Sequence, residues 1–205
     1  MVNRLQSKTR SYLMPAEWEP HHATWLAWPH DLETWPHNLN QLEATYFEVI
    51  QYLHSDEEVH ILVQDEPERD RLSHELKQRR LQRNVFLHLV ETDSIWIRDY
   101  GPTFVLQGQG KLALVHWTFN AWGGKYTAFK KDRRVPGALA HLLGVPEFQT
   151  GLVLEGGSID VNGGGMFLAT EACLLNPNRN EGLTCEELET SLKEFLGLSH
   201  IIWLH

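Results

Sequence analysis

The sequence is poor in cysteine and has no long hydrophobic run. Only two of its 205 residues are cysteines, Cys173 and Cys185. That number is too small for a disulfide scaffold and is typical of proteins from the reducing cytoplasm. No apolar stretch approaches the roughly 20 residues that a membrane-spanning helix needs, and no apolar segment follows the basic residues near the N-terminus. The sequence therefore predicts a cytoplasmic protein without a membrane partner.

Basic residues are also scarce relative to acidic ones. Lysine and arginine together number 18 against 27 aspartates and glutamates, for a formal net charge of -9. Nucleic acids and anionic membranes require clustered positive charge, so neither is predicted as a partner. A small cationic ligand suits this charge better. The composition is 42% hydrophobic and contains no low-complexity block, which predicts one globular domain over residues 1–205. Within it, residues 1–13 are expected to be poorly ordered.

Helical and strand patterns alternate in the first half of the chain. Apolar residues recur every three or four positions from Asn38 to His54, which predicts an amphipathic helix. A short apolar run from Glu58 to Gln64 predicts a buried strand. A second helix is predicted from Pro67 to about Arg80, because proline is favoured in the first turn of a helix, and a second strand from Val85 to Val90.

Turn residues predict two hairpins further along the chain. Gly108-Gln109-Gly110 and Asn162-Gly163 each lie between segments that have strand character. The predicted pairs are 102–106 with 111–117 and 158–161 with 166–169.

A final helix and strand are predicted near the end of the chain. Thr184 and Glu187 have the spacing of a capping box, and Gly197 is placed to end the helix in a left-handed conformation. The apolar segment 200–204 then predicts a strand. Helices that alternate with strands and hairpins indicate an α/β or an α+β architecture.

The segment from Trp96 to Pro102 contains the first candidate site. An aspartate in a turn next to Arg98, Gly101 and Pro102 often caps backbone amides or pairs with the arginine, which is a structural role. A functional role is also open, because Trp96 and Asp99 form a suitable pair for a planar cation. An indole attracts cations over its face, and a carboxylate accepts two parallel N–H bonds from a guanidinium group.

The second candidate is Glu155, followed by Gly156 and Gly157 at the end of an apolar strand. A tight turn with a solvated glutamate would explain this pattern. Alternatively, the glycines allow the backbone to approach a ligand that the carboxylate binds. Neither this pair nor the glycines at 163–165 have the pattern of a phosphate-binding loop.

Five ordered motifs together resemble the family of agmatine deiminases and bacterial, Porphyromonas-type peptidyl-arginine deiminases. The resemblance covers the chain from Met14 onward. The motifs are the run Met14 to Pro29, Trp96 to Pro102, Phe119 to Tyr126, Leu154 to Ser158 and Leu175 to Asn180.

The resemblance implies a fold and a reaction. The family fold is the pentein α/β-propeller of five ββαβ-like units, of which this chain would form about half to two thirds. The implied reaction is hydrolysis of a guanidinium group to a ureido group and ammonia through a covalent cysteine intermediate, without metal or cofactor. We expect agmatine as the substrate, giving N-carbamoylputrescine in polyamine metabolism. Peptidyl arginine is one alternative, and a non-catalytic guanidinium-binding fragment is another. A homo-oligomer is possible within this family.

The resemblance also assigns roles to individual residues. Asp99 corresponds to a catalytic carboxylate that binds the guanidinium nitrogens, and Trp96 to a wall of the substrate channel. Glu155 corresponds to the catalytic carboxylate that hydrogen-bonds the family's histidine. Arg98 is expected to hold the turn, since a cation would repel the substrate. The motif residues Asn120, Trp122 and Lys125 receive no role.

Several family residues have no counterpart within the 205 residues. The catalytic histidine, a second guanidinium-binding aspartate and the nucleophilic cysteine would follow His205, to which no role is transferred. Cys173, in an apolar strand-like run, and Cys185, in the first turn of a helix, are not expected to be nucleophiles. The chain alone is therefore expected to be inactive. The twelve histidines lack the spacing of a metal-ligand set, and the tryptophans fit a core better than a carbohydrate-binding module.

Overall fold

A computed structural model describes residues 12–32 and 34–205. The strands are Tyr12–Leu13 (β1), Ala23–Ala27 (β2), Glu58–Val63 (β3), Val85–Leu89 (β4), Thr103–Gln107 (β5), Lys111–Thr118 (β6), Glu147–Val153 (β7), Asp160–Val161 (β8), Met166–Thr170 (β9) and His200–Leu204 (β10). The helices are Leu39–Leu53 (α1), Glu66–Gln78 (α2), Ile97–Tyr100 (α3), Ala121–Gly124 (α4), Val135–Leu143 (α5), Glu171–Leu174 (α6), Pro177–Asn180 (α7) and Cys185–Leu196 (α8). Two 3₁₀ turns, Asp132–Arg134 and Gly156–Ser158, complete the set.

The first sheet is parallel, in the order β2-β3-β4. Its helices α1 and α2 cover one face, where Ile61, Phe47 and Leu72 are among the buried residues of one apolar cluster. The two helices and the strands β3 and β4 confirm the prediction to within a few residues. The pattern did not predict β2, whose central residues are only half-buried.

The second sheet has the order β1-β5-β6-β7. Its β5 and β6 form the predicted antiparallel hairpin around residues 108–110, and β7 joins parallel to β6 after α5. Tyr12 and Leu13, which the prediction placed in a poorly ordered segment, instead pair with Gln107 and Leu106. The buried Tyr12 ring contacts Phe148 with centroids 5.1 Å apart, so apolar contacts hold this strand on the sheet. The rest of the predicted disordered segment, residues 1–11, lies outside the described residues.

The third sheet has the order β10-β9-β8. The predicted hairpin is present, but its loop spans four residues and the Asn162 side chain accepts hydrogen bonds from the Gly164 and Met166 amides. Helix α8 has the predicted capping box at Thr184 and ends at Gly197 with φ of 71°. A Cβ atom at Gly197 would lie 1.7 Å from the Tyr12 carbonyl oxygen. Glycine at this position therefore lets the N-terminal strand pack against the end of α8.

The described residues form an α/β structure with mixed sheets, as predicted at the level of class. A parallel strand-helix-strand unit recurs in each sheet: β2-α1-β3, β6-α5-β7 and β9-α8-β10. Cys173 lies in the short helix α6 and not in a strand, because the chain turns directly after β9. A separate apolar cluster, which includes Leu62, Tyr100, Phe119 and Leu139, joins the first sheet to α3 and α5. This cluster positions the candidate site.

Candidate functional site

Asp99 lies on α3, a single turn that is fixed from two sides. Next to it, Tyr100 is buried and its hydroxyl donates to the Ser94 carbonyl oxygen over 2.8 Å. The turn ends at Gly101, where a Cβ atom would lie 2.4 Å from the Ile97 carbonyl oxygen. The short helix therefore cannot shift along its axis without loss of these contacts.

The loop before α3 is held by the buried Asp132. One carboxylate oxygen accepts the Asp93 amide over 2.7 Å and the Ser94 amide over 3.2 Å, and the other accepts the Ser94 hydroxyl over 2.9 Å. In return, the Asp93 carboxylate accepts the Lys131 amide over 2.7 Å. These reciprocal bonds, which we call the Asp132 clasp, fix residues 93–94 to residues 131–132.

Glu155 lies two residues after the end of β7 and is buried, with 4% of its surface exposed. The following 3₁₀ turn packs against α3. A Cβ atom at Gly156 would lie 2.3 Å from the Arg98 carbonyl oxygen, and one at Gly157 would lie 2.3 Å from Asp99 Oδ1. The glycines therefore let two parts of the protein meet, where the sequence had suggested a close approach to a ligand. Asp99 and Glu155 become neighbours as a result.

Arg98 connects the same two segments from the other side. Its Nε donates to the Gly156 carbonyl oxygen over 3.2 Å, and its guanidinium forms an ion pair with Glu17. Its charge is thus directed toward Glu17, although it lies next to Asp99 in the sequence.

Trp122 is the indole that reaches Asp99. Its Nε1 donates to Asp99 Oδ2 over 3.2 Å. The backbone places it there through α4, in which Ala121 and Trp122 have φ of 56° and Gly123 and Gly124 have φ of 82° and 78°. Residues with side chains rarely adopt such positive φ angles. The Asn120 side chain stabilises this turn because it accepts the Gly123 amide over 2.8 Å.

Arg179, on α7, is the partner of Glu155. Its Nε donates to Glu155 Oε1 over 2.7 Å, and both side chains are nearly buried. Asn180 holds the end of β7 with two hydrogen bonds of 2.9 Å to the Val153 amide and carbonyl groups. The Asn120 side chain donates to the Asn178 carbonyl oxygen over 2.8 Å. Residues 176–180 therefore connect the Glu155 strand to the Trp122 turn.

Burial raises the pKa of both carboxylic acids. For Asp99, hydrogen bonds from the Trp122 indole and the Gly157 amide and the charge of Arg98 act in the opposite direction. For Glu155, the charge and hydrogen bond of Arg179 lower the pKa, whereas the charge of Asp99 raises it. Each acid thus has donors that favour its charged form, and the proximity of the two disfavours double ionisation.

The structure brings Asp99 and Glu155 together and leaves Trp96 on the surface. The Trp96 side chain is 46% exposed and lies one helical turn before Asp99. Lys125 lies near the ring of Tyr126, with Nζ 5.3 Å from its centroid. His205 forms an ion pair with Glu171 over 3.1 Å.

Neither cysteine has the surroundings of a nucleophile. Cys173 is half-buried and packs against the apolar cluster of the second and third sheets. Cys185 is exposed, and desolvation and the charges of Glu189 and Glu171 raise the pKa of its thiol. Thiolate formation is therefore disfavoured at this position.

Residues 12–32 and 34–205 contain neither a cluster of metal-binding side chains nor a helix that could cross a membrane. No group of three or more histidine, cysteine, aspartate and glutamate side chains is arranged to hold a metal ion in this part of the chain. Over the same residues, no helix combines the length and apolar character that a membrane crossing requires.

The site thus combines the buried Glu155 with the half-buried Asp99, and the Trp122 indole donates to Asp99. Residues 13–205 match the family model of Porphyromonas-type peptidyl-arginine deiminases, and the chain belongs to this family. The resemblance inferred from the five motifs is thereby confirmed.

Curated relatives and solved structures carry related names. The agmatine deiminase of Ectopseudomonas mendocina is 40% identical over 199 residues, which cover 93% of this chain and 52% of the relative. The structure of Enterococcus faecalis agmatine deiminase has a TM-score of 0.84 at 30% identity, over 95% of this chain and 53% of that one. A C. jejuni agmatine deiminase with substrate bound has a TM-score of 0.84 at 29% identity and covers 98% of this chain and 58% of that one. The chain thus spans about half the length of the relatives that it matches.

Three residues of the site escaped assignment from sequence. Trp122 and Arg179 lie within motifs that were recognised, so their presence was known but their contacts were not. Asp132 lies outside all five motifs. A single aspartate before a helix gives no periodic signal, and its partners are 38 and 39 residues away.

Proposed function

We propose that this chain forms the guanidinium-binding part of a guanidine deiminase, which hydrolyses agmatine to N-carbamoylputrescine and ammonia. The observation that carries the proposal is the set of groups around the Asp99 carboxylate. Its carboxylate receives hydrogen bonds from Trp122 and Gly157 and lies beside Glu155, which has its own cationic partner. A carboxylate with remaining acceptor capacity in a partly desolvated position suits a guanidinium ion.

The names of the relatives favour agmatine over peptidyl arginine. Curated proteins at 40% and 39% identity are named agmatine deiminases, as is the substrate-bound C. jejuni structure. Peptidyl arginine remains the second candidate, because the family model bears the name of a peptidyl-arginine deiminase.

The proposed chemistry requires groups from beyond these 205 residues. A cysteine thiolate attacks the guanidinium carbon, and one nitrogen leaves as ammonia after it takes a proton from a histidine. Water then adds to the same carbon and gives up two protons, one to the histidine and one to solvent, while the C–S bond breaks to release the thiolate and leave the neutral ureido product. Asp99 binds the guanidinium nitrogens, Glu155 orients the histidine, and Trp96 lines the approach of the substrate.

The remaining proposals concern the whole protein. We place the chain in a pentein α/β-propeller, since each described sheet contains a parallel strand-helix-strand unit. The acidic composition and the two free cysteines support a cytoplasmic enzyme without nucleic acid or membrane partners, and self-association into a homo-oligomer is compatible with it.

The test of this function is ammonia release from agmatine, compared with release from an arginine-containing peptide. The assay uses the protein that contains this chain together with the remaining length of its relatives. We expect a higher kcat/KM for agmatine. Asp99→Asn should lower kcat/KM by about 10²- to 10³-fold, because it removes a charge that binds the cation.

Asp160→Asn serves as the control, since it makes the same change at an exposed position on β8. Near-parental turnover by Asp99→Asn would remove Asp99 from the mechanism. A higher kcat/KM on the peptide would replace agmatine by peptidyl arginine.

We also propose that the 205-residue chain alone has no deiminase turnover. Its two cysteines lie in an apolar cluster and at an acidic helix surface, neither of which favours a thiolate. Ammonia release from agmatine should therefore equal that of buffer. Sustained release that is abolished by Cys173→Ala or Cys185→Ala would show that one of them is the nucleophile.

A further inference from the structure

The two carboxylates of the site differ in their partners. Glu155 is buried and bonded to Arg179, and both belong to segments that are fixed by further hydrogen bonds. Asp99 accepts hydrogen bonds from two neutral donors, the Trp122 indole and the Gly157 amide. The guanidinium of Arg98 is directed toward Glu17 and the Gly156 carbonyl oxygen. Positive charge is therefore bonded to Glu155, whereas Asp99 can accept a cation.

We propose that Arg179 is a positioning residue, which keeps Glu155 as the internally paired carboxylate and thereby leaves Asp99 as the one that receives the substrate cation. The identity of that cation rests on the proposed function. The pairing itself does not, because it involves residues of this chain alone.

The local structure is built around the Arg179 side chain. A Cβ atom at Gly123 would lie 2.1 Å from Arg179 Nη1 and 2.4 Å from Asn178 Nδ2. The same Nη1 donates to the Asn178 side-chain oxygen over 2.7 Å. The left-handed turn of α4 thus presents a residue without a side chain where the guanidinium passes. A surface ion pair would not need such a fit, so this geometry indicates a specific position for Arg179.

Electrostatics explain why the position matters. The charged groups that act on Glu155 are Arg179 from α7 and Asp99 from α3. Two neighbouring carboxylates in a partly desolvated position would share a proton without a cation, since like charges cannot both ionise at low cost. Arg179 offsets one of the two negative charges. Asp99, Glu155 and Arg179 together then have a net charge near -1, which matches the single positive charge of a guanidinium ion.

The experiment is an NMR titration of the Glu155 carboxyl carbon in the 205-residue chain, assigned with Glu155→Gln. In Arg179→Gln, the Glu155 midpoint should rise by about one to two pH units, because an adjacent arginine lowers a carboxyl pKa by roughly that amount. Arg179→Lys keeps the charge and should reverse a large part of the rise. Arg71→Gln is the control: Arg71 pairs with Glu43 and Glu75, and its removal should leave Glu155 unchanged.

A matched pair of glycine variants tests the same role without loss of the arginine. Gly123→Ala and Gly124→Ala both place alanine at positive φ, but a Cβ atom at Gly124 meets nothing within 4 Å. Gly123→Ala should therefore displace Arg179 and raise the Glu155 midpoint, whereas Gly124→Ala should not. This pair decides the matter if Arg179→Gln fails to fold.

An unchanged Glu155 midpoint in folded Arg179→Gln would overturn the proposal. So would equal midpoints in the two glycine variants. Because neither readout uses turnover, a protein that shifts as expected but never hydrolyses agmatine would refute only the proposed function. If the enzyme is active but the Glu155 midpoint does not shift in Arg179→Gln, only the role of Arg179 is refuted.

Discussion

At the scale of single residues, the site depends on backbone conformations that side chains normally avoid. Ala121 and Trp122 both have φ of 56°, which for residues with a Cβ atom costs on the order of 1 to 2 kcal/mol each. The hydrogen bond from Trp122 to Asp99, the edge contact of its ring with Phe119 and the Asn120 cap offset part of this cost. The strained turn therefore places the Trp122 indole N–H group beside Asp99.

Trp122→Phe tests what that indole N–H contributes. Phenylalanine keeps the ring contact with Phe119 but removes the donor that stabilises the ionised form of Asp99. We expect the pKa of Asp99 to rise further above its usual value, and agmatine binding to weaken first on the acid side of the profile. An NMR titration of the Asp99 carboxyl carbon, with and without agmatine, measures both effects.

Trp203→Phe is the matched control for this change. It removes an indole that donates to another carboxylate, Glu189, over 3.0 Å. An Asp99 midpoint that moves equally in both variants, or in neither, would contradict a specific role for Trp122.

At the scale of elements, the position of α3 depends on the Asp132 clasp. Burial raises the pKa of Asp132 to about 6, while the Asp93 and Ser94 amides and the Ser94 hydroxyl act to lower it. The folded protein therefore retains the proton of Asp132 more strongly than the unfolded chain, whose aspartates titrate near 3.9. The contribution of Asp132 to the free energy of unfolding is therefore fully present below about pH 4 and is lost as the pH rises through about 6.

Asp132→Asn should remove this pH dependence. The difference in unfolding free energy between the parental protein and Asp132→Asn should fall by on the order of 2 kcal/mol between pH 4 and pH 7. Urea denaturation at several pH values measures the difference. Ser94→Ala removes a donor that favours the charged form, so it should shift the fall to higher pH. A difference curve that is flat, or that rises with pH, would contradict the assignment.

At the scale of the whole molecule, the two faces of the third sheet differ in how far their apolar residues are exposed. Strand β10 lies parallel to β9, so Met166, Ile202 and Leu204 share one face. Their exposed fractions are 44%, 44% and 46%, whereas Phe167 and Ala169 on the opposite face are buried in the core. Contiguous apolar surface next to a sheet edge favours association between molecules.

Ile202→Thr combined with Leu204→Thr should weaken self-association of the 205-residue chain by about tenfold, because it removes apolar surface and retains strand propensity. Light scattering over a concentration series measures the change. Tyr52→Ser on α1 is the control, since it removes an exposed aromatic ring away from this face. Equal association by both variants would show that the third sheet is not the contact.

Local chemistry made much of this structure predictable. The periodicity of 38–54, the turn at 108–110 and the capping box at Thr184 act within a few residues, and the structure confirms each of them. The strand β2 was not predicted, because its half-buried residues have no regular alternation. For β7, the sequence predicted an apolar strand before Glu155 but not where that strand begins. Tyr12 and Leu13 are ordered by contacts with strand β5 and helix α8, which local patterns cannot show.

The sequence by itself determined the family, the α/β class and the candidate carboxylates, because these follow from residue identity and short-range spacing. Only the tertiary structure decided which groups meet. Arg179 reaches Glu155 across 24 residues, Trp122 reaches Asp99 across 23, and Asp132 reaches Ser94 across 38. Such contacts depend on how separate segments pack around a common core, and on positive φ angles that residue type does not reveal. The charge that each carboxylate bears is therefore a property of the fold.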